Sequence, residues 1–159
     1  MRTNRLLTGL VGVLLLTGCG EKSAPTDAPS ANGPDAKPGL SVSGGKLVMP
    51  AVKGNPGAAY FIVSNGSAKA VHIAAIDIAG AGMAMIHESR EVNGHTTMEM
   101  LMSPEVPAHG SVEFSPGGKH VMVSDIGAEI APGKTAEMTI TFDDGDKVSA
   151  PLSVVPVGS

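Results

Sequence analysis

The sequence predicts an all-β domain, an antiparallel β-sandwich or barrel of Greek-key type, and three observations carry that expectation. Glycine (21 residues) and proline (12) are abundant while charged residues make up only 16% of the chain, which suits many short strands and turns better than long helices. From about Leu40 to the end, short apolar runs alternate with clusters of turn residues. Those clusters recur between most runs: Asn65-Gly66, Asn93-Gly94, Ala108-His109-Gly110, Pro116-Gly117-Gly118, Ala131-Pro132-Gly133 and Asp143-Asp144-Gly145.

Taken in order, residues 1–18 read as a signal peptide. Arg2 and Arg5 give a positive start, and the apolar run Leu6 to Leu16 is too short to span a bilayer stably. It ends in Leu16-Thr17-Gly18-Cys19, which resembles the bacterial lipobox, and Cys19 is the only cysteine, so it is the expected site of lipidation. Gly20 is not the Asp that retains lipoproteins at the inner membrane, so a periplasmic domain on an outer-membrane anchor is expected. Residues 19–39 form the lipidated Cys and a flexible tether. Within it Glu21 to Pro38 is rich in Ala, Pro, Ser, Asp and Gly without apolar period. Removing residues 1–18 takes two arginines from the eleven basic residues and none of the fifteen acids, leaving a mildly acidic protein of formal charge −6.

Residues 40–159 are the folded domain. Strands are expected near 46–52, 58–65, 70–78, 83–92, 95–102, 111–115, 119–124, 136–142 and 147–155. With three Phe, one Tyr and no Trp, the core must be built from Val, Ile, Leu, Ala and Met. Every methionine therefore has a packing explanation to set against any functional one. No disulfide can form within one mature chain, and no basic patch is available to neutralise phosphates, so nucleic acid is excluded as a partner.

Six methionines, Met83, Met85, Met98, Met100, Met102 and Met122, fall between residues 83 and 122 together with His87 and His120. Cu(I) is a soft ion that takes thioether and imidazole donors, whereas Mg and Ca want oxygen and Zn recruits Cys, several His or a carboxylate. Strand geometry allows the donors to meet. A two-residue turn at Asn93-Gly94 would pair Val92 with His95, Ser89 with Met98, His87 with Met100 and Met85 with Met102. By the alternation of side chains, Met85, His87, Met98, Met100 and Met102 then share one face of the ribbon. His120 and Met122 share a face of their own strand. His72 is expected to be structural or solvated, and His95 and His109 to sit exposed at turns.

The spacing His87, ten residues, Met98, twenty-one residues, His120-x-Met122 resembles the H-x10-M-x21-H-x-M signature of the PCuAC family of periplasmic Cu(I) chaperones. Ala58-Ala59-Tyr60-Phe61, Asn65-Gly66, His87-Glu88, Val106-Pro107-Ala108-His109-Gly110, Pro116-Gly117-Gly118 and Thr139-Ile140-Thr141-Phe142 also follow that family's order, over about residues 42–155. The resemblance implies a cupredoxin-like barrel that is a monomer. It also implies one Cu(I) held by His87, Met98, His120 and Met122, with Met85 and Met100 as auxiliary donors. The implied recipients are copper-accepting proteins: subunit II of cytochrome c oxidase with its CuA centre, and Sco-type thiol proteins. In three places the sequence departs from the family. Lys119 replaces an aromatic or other apolar residue and is expected to put a cation beside the site, weakening the hold on a cationic metal or speeding its exchange; a Met- and His-rich tail is absent so that no second Cu(II) site is expected; and His109 stands where glycine is common.

Neutral thioethers suit carriage of Cu(I) rather than catalysis, and no Ser/His/Asp set, nucleophilic Cys, acid–base carboxylate pair or phosphate loop is legible, so the chain is not expected to be an enzyme. Competing expectations are a copper-sequestering resistance protein and a metal-free β-sandwich lipoprotein that serves as an envelope adaptor.

Overall fold

The structure, a computed structural model, describes residues 37–159; the signal peptide, Cys19 and the tether as far as residue 36 lie outside the described residues. Ten strands make up the domain: β1 (Leu40–Val48), β2 (Gly57–Asn65), β3 (Val71–Ile78), β4 (Ala81–Val92), β5 (His95–Met100), β6 (Glu105–Val106), β7 (Gly110–Phe114), β8 (Lys119–Ile126), β9 (Thr135–Phe142) and β10 (Lys147–Val155). Period-two burial is cleanest in β9 and β10, where alternate residues Ala136, Met138, Ile140, Phe142 and Val148, Ala150, Leu152, Val154 point inward.

The strands lie in the order β5-β4-β8-β2-β1-β10-β9-β3-β6, with β7 paired to β2. All pairs are antiparallel except β1 with β10. Long connections insert β8 between β4 and β2 and set β10 beside β1, an ordering of Greek-key kind. The all-β expectation therefore holds. Val, Ile, Leu and Ala fill most of the core, with all three phenylalanines; Phe61 and Phe114 oppose each other on β2 and β7 and stack at 4.4 Å. Methionine does little to fill it: among the described residues Met138 is the only methionine fully buried there.

Three elements differ from expectation. The first strand runs from Leu40 and stops at Val48, because Gly44-Gly45 form a bulge within it and Pro50 ends it. Gly44 takes the positive φ (66°) that the bulge needs. The short β6 was not expected; it is a two-residue pairing of Val71 and His72 with Val106 and Glu105, too brief to leave a periodic signal. β5 ends at Met100 instead of Met102, although Leu101 N–H still donates to Ile86 O (2.8 Å) and Leu101 packs against the core.

The turn at His109 accounts for the glycine usual there. His109 has φ 51°, in the left-handed region that costs an L-residue of ordinary shape on the order of 1 kcal/mol, although His tolerates it better than branched residues. The turn is held by Gly110 N–H to Pro107 O (3.2 Å) and by His109 N–H to Ser67 O (3.1 Å). His109→Gly is expected to raise stability by about 0.5 kcal/mol, the strain relieved less the extra freedom glycine gives the unfolded chain. A denaturant melt that showed destabilisation instead would mean the imidazole contributes contacts of its own.

Candidate metal centre

The site is built on β5, β4 and β8, which adjoin in that order. Asn93 (φ 54°) and Gly94 (φ 78°) both adopt left-handed geometry, the type I′ turn that fixes hairpin register locally. The resulting pairs are those expected: Val92 with His95, Ser89 with Met98 and His87 with Met100. On the other side of β4, His87 pairs with His120 and Met85 with Met122. Opposed residues share a face, so Met98, Met100, Met85, His87, His120 and Met122 all stand on one side of this three-stranded sheet. Ile86, Val121 and Val123 take the reverse side and are buried in the core.

The donors form two rows across the strands. One row reads Met100, His87, His120; the next contains Met85 and Met122. Met98 stands one diagonal step from His87, on the opposite side of the histidine row from Met122. The imidazole rings lie 6.0 Å apart between centroids. His120 is buried, and its Nδ1 lies 3.0 Å from Gly118 O. A carbonyl can only accept, so Nδ1 carries the proton and Nε2 keeps its lone pair. His87 Nδ1 is buried without a hydrogen-bond partner. Burial, and secondarily the neighbouring His120, hold the His87 imidazole below its ordinary pKa and so keep it in the neutral form that a metal requires.

Exposure separates this cluster from core packing. Met83, Met98, Met100 and Met102 are 50 to 76% exposed, while Met85 and Met122 are half-buried. A thioether left in water gains nothing from filling a core, so the packing explanation fails for the four exposed methionines. Beside His120 and Met122 a groove of about 420 Å³ opens, lined by Val48, Met49, Pro50, Ala58, Tyr60 and Val157. Among the described residues no three His, Cys, Asp or Glu side chains converge as a hard-metal site would require.

Lys119 does not approach the donors. Being next to His120 in a strand, its side chain leaves from the opposite face, where Nζ donates to Glu88 Oε1 at 2.7 Å. Arg90 Nε reaches the other oxygen of Glu88 at 2.7 Å, and the two cations hold the Glu88 carboxyl below the usual carboxylate range, Lys119 foremost. The expectation that a cation flanks the site is corrected: the alternation of the pleat separates charge from donors. Lys119→Gln should accordingly change Cu(I) affinity by less than about threefold; a larger change by chelator competition would mean that charge acts through the sheet.

The remaining histidines are elsewhere. His72 lies between Glu105 (3.6 Å) and Asp143 (3.4 Å) on β3, and His95 and His109 are exposed at turns. Two contributors were not assigned from the sequence. The Gly118 carbonyl that orients His120 is a backbone group that no residue type signals, whereas Met83 extends the outward face of β4 by one more step, a position its parity with Met85 would have given.

A family model described as lipoprotein LpqE-like matches residues 40–154. A protein of Leifsonia xyli subsp. xyli, named as a lipoprotein (Lxx21020), is 32% identical over 161 residues, spanning 96% of this chain and 90% of that one. Among solved structures, the copper-bound PCuAC domain from PmoF2 superposes with a TM-score of 0.61 at 20% identity, over 79% of this chain and 96% of that domain. The apo form of that domain gives 0.64 at 20% identity, over 82% and 96%. The solution structure of CuI-DR1885 from Deinococcus radiodurans gives 0.57 at 22% identity, over 70% and 75%. At these identities the likeness to PCuAC domains is one of fold, the cupredoxin-like barrel.

Proposed function

Since the chain belongs to the LpqE-like family of lipoproteins, we propose that it is an envelope-anchored carrier of one Cu(I), held by His87, Met98, His120 and Met122 and passed to a copper-accepting protein. The single observation that carries this reading is the register, which sets His87 beside His120 and flanks the pair with thioethers on one open face. The copper-bound and CuI-bound states of the structural neighbours named above support it. Cys19 is the anchor, the periplasm the compartment and the outer membrane its attachment.

The chemistry is that of a carrier and not of a catalyst. Thioethers hold Cu(I) without the thiolates that an oxidising envelope would turn into disulfides, and they yield it to an acceptor that offers cysteine. Acceptors of that kind include the CuA centre of cytochrome c oxidase subunit II and Sco-type thiol proteins. The openness of the face lets such ligands approach while the histidines still hold the ion. The domain acts as a monomer.

Met98, and not Met100, is assigned as the hairpin ligand. Met100 stands directly opposite His87, but Met98 satisfies the H-x10-M-x21-H-x-M spacing from both ends. Leucine conserves volume while deleting the sulfur. Met98→Leu is expected to weaken Cu(I) binding on the order of tenfold more than Met100→Leu does, both variants remaining folded. The reverse order would move the ligand to Met100 and leave the copper reading intact; no effect from either would remove the hairpin from the site.

Binding should also compete with protons. Each ligand His must be neutral, and unperturbed imidazole titrates near ~6.5, so affinity falls as pH drops below about that value. Because His87 is held below its ordinary value, its part of the loss comes at lower pH than that of a solvated imidazole. Chelator competition from pH 8 to 5 measures this, and a flat profile would exclude the histidines as ligands. In the same assay Zn should bind far more weakly than Cu(I); equal binding would overturn the copper assignment.

A further inference from the structure

One Cu(I) needs four donors at most, and this face carries more. With Met98 and Met122 assigned to the first ion, Met83, Met85, Met100 and Met102 are left on or beside the same sheet. The inference below rests on the preceding reading only for which thioethers are free.

We propose that Met85, Met100 and Met102 form a second, weaker, all-thioether site for a soft monovalent cation at the open edge of the sheet. β5 is the terminal strand of the strand order, so this rim has no neighbour on its outer side among the described residues. Met85 and Met100 share the outward face, and Met100 is one diagonal step from Met85 across the hairpin. Leu101 packs against the core and its N–H is bonded to Ile86 O, which carries the hairpin register one pair past the end of β5, and Met102 is the next residue along the chain. Met100 is 55% and Met102 76% exposed. Three neighbouring thioethers without imidazole or carboxylate can offer a soft ion trigonal sulfur coordination and offer a hard ion nothing. No carboxylate shares the outward face of β5, since Glu99 faces the reverse side opposite Glu88. The site would hold an ion where an acceptor first touches the sheet, one row from the histidines.

The test uses the soluble domain and Ag(I), a redox-silent soft monovalent probe, checked with Cu(I) under anaerobic conditions. Titration calorimetry of the wild type should show two phases, the second weaker by about tenfold or more. Met102→Leu, at a position open to solvent, should abolish the second phase and leave the first within about threefold. The double variant His87→Ala/His120→Ala should lose the first phase and keep one equivalent of the weaker kind. A wild type that takes up a single equivalent, a second phase that survives Met102→Leu, or a double variant that binds nothing would each overturn the second site. A double variant that still binds its tight equivalent unchanged would instead overturn the histidine site. Were the stripe merely an apolar surface, leucine would replace methionine without effect on either phase.

Discussion

Replacing His120 with alanine is expected to lower Cu(I) affinity by on the order of 100-fold or more, the largest effect on binding of any single change in this protein. Among the site's imidazoles it is the one whose tautomer is set by the backbone: Nδ1 donates to Gly118 O at 3.0 Å, so Nε2 presents its lone pair in a fixed direction before the ion arrives. The side chain is also buried, so little ordering remains to be done on binding. Alanine removes the donor and leaves His87 with thioethers alone. His72→Ala is the control, since that imidazole lies between Glu105 and Asp143 on β3, away from the donor face. Competition against a Cu(I) chelator, with far-UV circular dichroism to confirm folding, decides the matter. A change below about threefold for His120→Ala would remove this residue from the ligand set.

Among the polar side chains, the largest effect on stability is expected at Asn65. Its side chain, 1% exposed at the end of β2, is saturated with partners: Nδ2 donates to Lys69 O (2.7 Å) and Val106 O (3.2 Å), and Oδ1 accepts from Ser67 N–H (3.0 Å) and Ser67 Oγ (2.7 Å). One amide thus ties the β2–β3 turn to β6, which has only two residues of ladder to hold it. Alanine would leave two carbonyls and an amide N–H without those partners in a largely dry corner. The cost is about 3 kcal/mol, or roughly 10 °C in melting temperature for a domain of this size. Aspartate should do no better, because it keeps the acceptor but loses both donors and buries a charge. Ser67→Ala should cost less, about 1 kcal/mol, as only the hydroxyl bonds are lost. A loss below about 1 kcal/mol for Asn65→Ala in urea unfolding would show that water enters and replaces the amide.

The hairpin that carries half the donors was legible because its information is local. A type I′ turn needs two consecutive residues with positive φ, Asn-Gly is the pair that tolerates them best, and a two-residue loop leaves one register open. From Asn93-Gly94 alone, His87 falls opposite Met100 and beside Met98. Short apolar runs bounded by turn residues located β2, β9 and β10 for the same kind of reason. The first strand was expected at 46–52 and runs instead from Leu40 to Val48, because it passes through a bulge at Gly44-Gly45 that leaves no periodic signal.

What the residues alone determined, then, is the strand periodicity, the turn-defined register and the soft character of the donor set, all fixed by dihedral preference and side-chain chemistry over a few positions. The tertiary structure decided the rest. That β8 docks on β4 so that His120 meets His87 is a pairing across more than thirty residues, which no local preference encodes. That the methionine face looks outward while Ile86 and Val121 look inward follows from how the sheet curls to cover its apolar side, and an alternating strand fits either way until a partner layer exists. Pleat alternation alone puts Lys119 on the other side of the sheet from His120, and the β4–β8 register decides that the partner it meets there is Glu88.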